Sequence, residues 1–233
     1  MSDKVLVSGS NLKAIADAIR AKAGTTTKYK PAEMASAISG ITTGGGGGTD
    51  TGTEILDGSI TTYSNDTITY IRDFGLSQCP SLTTLSLPAL TAVGTSAFSA
   101  CPSLTTAYLP AAKSVNCGCF SSCIKLTSVT LTSAEHVEEY GFSSCSSLTT
   151  VSLPACETLS DFAFYECSSL TALILGNDTV AKLYDANAFS GTPIESGTGY
   201  IYVPDSIVDQ YKSDSNWSTY AAQIKPISSA PAA

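Results

Sequence analysis

The residues best suited to chemistry in this chain of 233 residues are its eight cysteines. Five of them recur at intervals of 22 residues: Cys79, Cys101, Cys123, Cys145 and Cys167. Regularly spaced thiols can form disulfides, hold a metal ion or pack as small apolar side chains. Leucines keep the same interval at two further positions of the repeat, beginning with Leu82 and Leu87. Because the period is shared with apolar residues, it favours reduced thiols packed in a repeat, with disulfides and a metal site as alternatives.

The three remaining cysteines can be placed by aligning the repeats. Cys119 falls in a position that other repeats fill with Ala97, Gly141 and Ala163. Cys156 falls in an apolar position that other repeats fill with Leu90, Ala112 and Ala134. Both thiols should therefore be buried. Cys117 aligns with polar residues and should be exposed: Thr95, Glu139 and Asp161.

Side chains that could catalyse a reaction or bind a metal are sparse. The single histidine, His136, occupies a position that varies between repeats, with Ala92, Ser114 and Thr158 as its counterparts. Acid–base catalysis needs partners at fixed positions. Asp178 and Asp185 offer too few oxygen ligands for a calcium site. We therefore expect a protein that is not an enzyme and that needs no cofactor or metal.

Charge and hydropathy disfavour several classes of partner. The formal net charge is −8, and no stretch clusters Lys and Arg, which disfavours nucleic acid and anionic membranes as partners. No apolar run approaches the length of a membrane span. The first residues lack the apolar core of a secretory signal peptide, so secretion by that route is not expected.

The 22-residue period predicts the fold. Self-similarity at this length is typical of a solenoid, whose units bury their apolar edges against their neighbours. Each unit contains a short strand whose alternate residues point inward, as at Leu104, Ala107 and Leu109. Across the coil, an aliphatic residue such as Val115 precedes Phe120, which suggests a partly helical return. We predict a leucine-rich repeat solenoid of parallel short strands, with about five 22-residue units plus degenerate end coils.

The repeat domain should span residues 54–228, followed by a short tail at 229–233. Its end units depart from the repeat, as expected where a coil has a neighbour on only one side. Upstream, Ile71 and Leu76 keep the register in a degenerate first coil. Downstream, the unit after Leu175 lengthens, and a helix with Trp217 and Tyr220 should cap the last coil.

Two segments precede the repeats. Residues 1–41 are expected to form a small helical hairpin with these apolar positions: Leu12, Ile15, Ile19, Met34 and Ile38. Helices this short bury too little surface to be stable alone, so we expect an anchor or oligomerisation module. A hairpin that only caps the repeats is the alternative. Residues 42–53 contain five consecutive glycines and should be a flexible linker, which favours attachment.

The outward positions of the predicted strands form the most promising binding surface. Hydroxyl groups with occasional tyrosines suit carbohydrate or a protein surface, and Tyr108 and Tyr202 are the best single candidates. The alternative is a merely solvated sheet, for which Ser and Thr are ordinary. The candidate residues are Thr84, Ser86, Thr106, Tyr108, Ser128, Thr130, Thr150, Ser152, Ile174 and Tyr202.

Two stretches of the sequence resemble known families. The repeats "AFSACPSLTTAYLPA" and "GFSSCSSLTTVSLPA" resemble the BspA-type leucine-rich repeats common in bacterial surface proteins. The C-terminal "IYVPDSIVDQYKSDSNWSTYAAQIKPI" is similar to the cap of the same family. Near the N-terminus, "LKAIADAIRAKAGTTTKYKPAEMASAI" resembles a module of tail-associated and other structural proteins of phages and prophages. The resemblance implies a parallel-strand solenoid and no catalytic residues.

Together these resemblances imply a noncatalytic phage virion structural protein, a tail- or head-attached adhesin. Residues 1–41 would join other virion proteins and form a homo-oligomer, while the repeats would bind host-surface carbohydrate or protein. The expected location is the virion, after synthesis in the host cytoplasm without a signal peptide. A bacterial cell-surface adhesin of the BspA type is the alternative, and an intracellular scaffold is a third possibility.

Overall fold

The computed structural model describes residues 60–230. The N-terminal hairpin and the Gly-rich linker predicted above lie outside the described residues. Within them the strands are β1 (Thr62–Ser64), β2 (Tyr70–Ile71), β3 (Thr84–Ser86), β4 (Ala92–Val93), β5 (Thr106–Tyr108), β6 (Ser114–Val115), β7 (Ser128–Thr130), β8 (His136–Val137), β9 (Thr150–Leu153), β10 (Thr158–Leu159), β11 (Ala172–Leu175), β12 (Lys182–Leu183), β13 (Tyr200–Val203) and β14 (Ile224–Pro226). The helical elements in this range are α1 (Val208–Ser213) and the 3-10 helices Ala186–Phe189, Asp205–Ile207, Ser218–Tyr220 and Ile227–Ser229.

Two rows of parallel strands run along the solenoid. The first row contains the sheets β1-β3-β5-β7 and β9-β11-β13-β14, and we call its outward surface the strand face. The second row contains the sheets β2-β4 and β6-β8-β10-β12. Residues 22 apart pair in register, as Thr84 pairs with Thr106 and Thr106 with Ser128. The predicted leucine-rich repeat solenoid of parallel strands is therefore confirmed.

The core consists of columns in which each coil contributes one residue. Leu104, Ala107 and Leu109 are fully buried, as are their counterparts in most coils. A second column stacks phenylalanine rings with centroids 5.3 to 5.8 Å apart, namely Phe98, Phe120, Phe142, Phe164 and Phe189. Stacked aromatic pairs contribute beyond the area that they bury. The 22-residue period thus converts one apolar residue per repeat into a continuous core.

The segments that follow the second-row strands form what we call the turn side: residues 72–78, 94–100, 116–122, 138–144 and 160–166. They are turns, so the expected partly helical return is wrong. In the coil of β4, Ser96 and Ala100 adopt left-handed φ angles of 52° and 53°. Their amides donate to the next coil, to Cys117 O at 2.8 Å and Ser121 O at 2.7 Å. These hydrogen bonds offset the strain of a conformation that residues other than glycine rarely adopt.

The coil between residues 176 and 199 is longer than the others but keeps the repeat. Lys182 and Leu183 pair in register with Thr158 and Leu159, two residues more than the usual interval. The extra length is taken up around the 3-10 helix Ala186–Phe189, which places Phe189 in the aromatic column. The lengthened unit predicted after Leu175 is therefore a coil of the solenoid.

Aromatic side chains close the C-terminal end of the core. Trp217 Nε1 donates to Ala181 O at 2.7 Å, and Tyr211 OH accepts from Ala181 N at 2.9 Å. Tyr220 OH donates to Ala186 O at 2.5 Å. These bonds satisfy the backbone of the last long coil while the rings cover its apolar residues. Strand β14, which the sequence did not predict, then pairs with β13.

Candidate functional site

The periodic thiols lie inside the solenoid, where all but Cys79 bond to the preceding coil. The Sγ atoms of Cys101, Cys123 and Cys145 each donate to a backbone oxygen 25 residues earlier, at 3.2 Å. All eight cysteines are free thiols, and Cys117 alone is exposed. Within residues 60–230 no group of three or more His, Cys, Asp or Glu could hold a metal ion. The thiol column is therefore structural, and reduced packing thiols are what the structure contains.

Burial keeps the thiols of Cys119 and Cys156 protonated. It raises the pKa of Cys156 to about 12 and raises that of Cys119 well above its ordinary value. The neighbouring thiol of Cys123, together with burial, raises the pKa of Cys101 to about 12. Because the thiolate is the nucleophile and the metal ligand, raised pKa values make these residues inert at neutral pH.

The strand face is uncharged over most of its length. Two outward rows run across β1 to β11, with only Ser, Thr, Ala, Ile and Tyr in them. Tyr108, 44% exposed, stands between Ser86 and Thr130 on the neighbouring strands. Thr84, Thr106, Thr130, Thr150 and Ile174 are half-buried, and Ser128 and Ser152 are exposed. The predicted residues therefore share one surface, from β3 to β11.

A different set of hydroxyls is used internally. Thr83, Thr105 and Thr127 precede the strands, and each donates its Oγ1 to a carbonyl in the preceding coil, at 2.7, 2.9 and 3.2 Å. Within residues 60–230, the outward hydroxyls of Thr106 and Thr130 make no bond of this kind. The hydroxyls on the strand face thus remain available to a ligand.

Tyr202 is a correction to the sequence prediction. It points outward in register with Ile174, but it is only 8% exposed. The unpredicted strand β14 lies on its other side, with Lys225 in the paired position. Tyr202 is therefore part of the packing at the C-terminal end and is unavailable as a binding residue. Ala172, which shares the other outward row with Thr150, is buried at 3% exposure beside Tyr200.

Tyr200 is a strand-face tyrosine that the sequence reasoning missed. It is 36% exposed and pairs with Ala172 in the other outward row. Its ring centroid lies 6.3 Å from that of Tyr202, and Lys225 Nζ lies 5.2 Å from its own. Its position two residues before Tyr202 was the available signal, because alternate residues of a strand share a face.

His136 is half-buried on the second row. Its Nδ1 lies 2.9 Å from Thr158 Oγ1 in the next coil. A threonine hydroxyl neither orients a base nor supplies a charge in the way that a carboxylate does. His136 thus serves as one more contact between coils.

No helix within residues 60–230 is long and apolar enough to cross a bilayer.

The turn side carries an aromatic cluster that the sequence reasoning did not single out. The rings of Tyr140 and Phe162 are parallel within 3°, with centroids 5.1 Å apart. Tyr165 meets Phe162 edge-on at 5.6 Å. The signal was an aromatic at the same repeat position in two consecutive units, but their exposure depended on the geometry of the turn.

The repeat register identifies the family of this chain. A family model described as BspA type leucine-rich repeat region matches residues 58–134 and 91–207. This chain belongs to the BspA-type leucine-rich repeat family. The predicted family of the repeats is therefore confirmed.

Two solved structures of leucine-rich repeat proteins are similar to this BspA-type chain. One, from Bacteroides ovatus, is 18% identical with a TM-score of 0.47, over 74% of this chain and 55% of that one. Another, from Eubacterium ventriosum, is 22% identical with a TM-score of 0.41, over 58% and 44% of the two chains. The chain thus spans about half the length of these proteins. No curated protein matches it.

Proposed function

We propose that this protein is a noncatalytic adhesin whose strand face binds a neutral, hydroxyl-rich ligand, namely a glycan of a host surface. The observation that carries the proposal is the pair of outward rows, uncharged from β1 to β11, with Tyr108 exposed on them and Tyr200 exposed in the adjoining strand β13. The membership of the BspA-type family supports a binding role, since repeats of this kind are common in bacterial surface proteins.

The chemistry of the face favours a glycan over a charged ligand. A sugar ring offers an apolar face for stacking on tyrosine and hydroxyls for bonding to Ser and Thr. Tyr108 stands in a row between the hydroxyls of Ser86 and Thr130. Along β1 to β11 a charged ligand would lose its hydration against this face and would meet no opposite charge in return, since Lys225 lies beyond this stretch, beside Tyr200.

The spacing of the two tyrosines sets the size of the ligand. Tyr108 lies in β5 and Tyr200 in β13, four strands further along the face. Neighbouring strands are about 4.8 Å apart, so the two rings are separated by roughly 19 Å. A chain of several sugar units could contact both. Each contact is shallow, so strong attachment requires several sites to engage together.

The N-terminal segment suggests which larger particle the adhesin is attached to. Its sequence resembles a module of phage and prophage structural proteins, which supports attachment to the tail or head of a virion through residues 1–41. The apolar positions Leu12, Ile15, Ile19, Met34 and Ile38 would join other virion proteins or other copies of this chain. Clustering several copies would supply the multivalency that the shallow strand face needs.

A bacterial cell-surface adhesin is the second candidate. The BspA-type family favours it, because its repeats are common in surface proteins of bacteria. The location of the protein in purified phage particles or on intact cells, detected with an antibody against the repeat domain, separates the two. Detection in particles supports the virion, and detection only on cells supports the bacterial surface.

Binding to an array of host-surface glycans tests the ligand proposal. With the full chain, Tyr108→Ala should weaken binding about tenfold or more, because interface tyrosines carry much of the binding energy. Tyr184→Ala is the matched control, since Tyr184 is 54% exposed but lies away from the strand face. Unchanged glycan binding by the double variant Tyr108→Ala, Tyr200→Ala, with the fold intact, would place the site elsewhere.

A further inference from the structure

The aromatic cluster on the turn side is costly unless something binds to it. Tyr140 is 40% exposed, so part of its ring meets water. Tyr140 and Phe162 also hold left-handed φ angles of 56° and 55°, which are rare for large side chains. The same repeat position is filled by Ser96 and Gly118 in two other coils, so the fold does not require an aromatic there. Left-handed angles recur at this position in the coils from Phe74 to Phe162, and Phe74 fills it in the first coil, so the feature particular to this site is the stacked and partly exposed pair of rings.

A gap lies beside the Tyr140 ring. One side of Tyr140 stacks on Phe162, whereas the coil on its other side has Gly118 at the equivalent position. A methyl group on Gly118 would lie 2.9 Å from Ser96 Oγ, so the serine hydroxyl leans over the glycine. Because Gly118 has no side chain, no side chain of that coil stacks on the face of the Tyr140 ring opposite Phe162, and a flat group on this face would lie beside Ser96 Oγ.

The surroundings of this gap are negatively charged. Glu139 precedes Tyr140 and Asp161 precedes Phe162, so these two acidic residues occupy equivalent positions of neighbouring coils, each adjacent in the chain to one of the two rings. Residues 110–170 contain six carboxylates and two lysines. Lys113, one of the two lysines, is paired with Glu135 at 2.5 Å. Clustered charge of one sign attracts and orients a group of the opposite sign.

We propose that the gap between Tyr140 and Ser96 binds an arginine or lysine side chain from a basic segment of a partner protein. The cation would lie against the open face of the Tyr140 ring, where the ring quadrupole attracts it. Glu139 and Asp161 would supply the opposite charge, and Ser96 Oγ would accept a hydrogen bond. A sugar could also stack on this ring, but it would gain less from the negative charge. The site is separate from the strand face and does not depend on glycan binding there.

A fluorescein-labelled penta-arginine peptide tests the proposal by fluorescence anisotropy with the full chain. Tyr140→Ala should weaken its binding about 5- to 30-fold, the range of a cation–π contact that is partly desolvated. Tyr140→Phe should retain binding because the ring face remains. Tyr70→Ala is the matched control, since Tyr70 is 43% exposed in the first coil. Circular dichroism establishes that each variant keeps its fold.

A second variant fills the gap and leaves the aromatic ring in place. Gly118→Asn should weaken peptide binding to a similar degree, because asparagine tolerates the left-handed backbone and its amide would occupy the space. If this variant misfolds, the difference in peptide affinity between Tyr140→Ala and Tyr140→Phe is sufficient to test the proposal. Equal peptide affinity of the wild type and Tyr140→Ala would overturn the proposal, and so would failure of the wild type to bind the peptide. Binding of a neutral chito-oligosaccharide that depends on Tyr140 would assign the gap to a sugar instead.

Discussion

The strand face and the turn side are formed by the same coils but differ in what their outward positions tolerate. On the strand face, side chains of successive coils stand side by side in register, as Thr84 and Thr106 do. Like charges in such a row would repel each other, so neutral hydroxyls are the easiest choice. On the turn side the outward position changes from Ser96 to Gly118 to Tyr140. A uniform surface suits an extended neutral ligand, whereas a varied one suits a single local contact.

Both surfaces rest on one core, and the thiol column lies between them along the chain. Cys101 follows the turn segment 94–100 and precedes strand β5. Its thiol bonds to the coil before it. Perturbing the buried thiols, the core and the two surfaces in turn tests whether the surfaces belong to one cooperatively folded unit but bind different ligands.

Alkaline pH should have the largest effect on stability, because it ionises buried thiols. The pKa values of Cys101 and Cys156 rise on folding from 9.0 to about 12, so above pH 9 the unfolded chain releases thiol protons that the folded chain still holds. The stability is therefore complete below pH 9 and is lost as the pH rises towards 12. Each thiol should remove about 4 kcal/mol by pH 12. Circular dichroism against pH should show unfolding in this window.

Cys156→Ala provides the control for the alkaline prediction. Other repeats carry Ala112 and Ala134 at this position, so alanine fits it. Removing one ionisable thiol should move the alkaline midpoint to higher pH. A midpoint that is unchanged, or that lies above pH 12, would contradict the role assigned to the thiols.

Substitutions in the core should destabilise both surfaces together. Phe142→Ala, under the turn side, should cost about 3 to 5 kcal/mol, and Leu131→Ala, beside the strand face, about 2 to 5 kcal/mol. Both side chains are almost fully buried between neighbouring coils. Denaturant unfolding should show a single transition in each variant. Two separate transitions would indicate that the two surfaces belong to independently folding parts.

The tyrosines of the strand face should divide into a structural and a binding residue. Tyr202→Ala should lower the free energy of unfolding by about 2 to 4 kcal/mol, because the ring is buried between β11 and β14. Tyr108→Ala should change it by less than about 0.5 kcal/mol, since its ring is exposed. Thermal and urea denaturation of the two variants measures the difference. Equal destabilisation by both would mean that Tyr108 also packs.

Salt concentration should have the smallest effect, and it should change the ligand affinity of the turn side more than that of the strand face. Affinity for penta-arginine on the turn side should fall several-fold between low and physiological salt, because screening weakens attraction between exposed charges. Affinity for a neutral glycan on the strand face should change by less than about twofold over the same range. Titrations of one preparation at both salt concentrations measure this. A glycan affinity that falls with salt as steeply as the peptide affinity would erase the distinction.

The sequence determined the repeating part of this protein, because a constant interval in a parallel solenoid is also a contact. Residues 22 apart had to pair, so the inward leucines, the thiol column and the buried Cys119 and Cys156 could be assigned from the alignment of repeats alone. Cys117 could be placed on the surface by the same argument. The strand-face residues from Thr84 to Ser152 followed from the alternation of a strand.

Only the tertiary structure decided what happens where the repetition ends or the backbone leaves the strand. Tyr202 points outward as predicted but is buried, because strand β14, which the repeat pattern does not predict, pairs with β13 beside it. Tyr140 and Phe162 shared a repeat position, yet their exposure and stacking depended on left-handed turns that hydrophobic periodicity does not encode. Periodicity determines which coils meet, whereas the exposure of a side chain depends on every neighbour around it, including those from non-repeating segments.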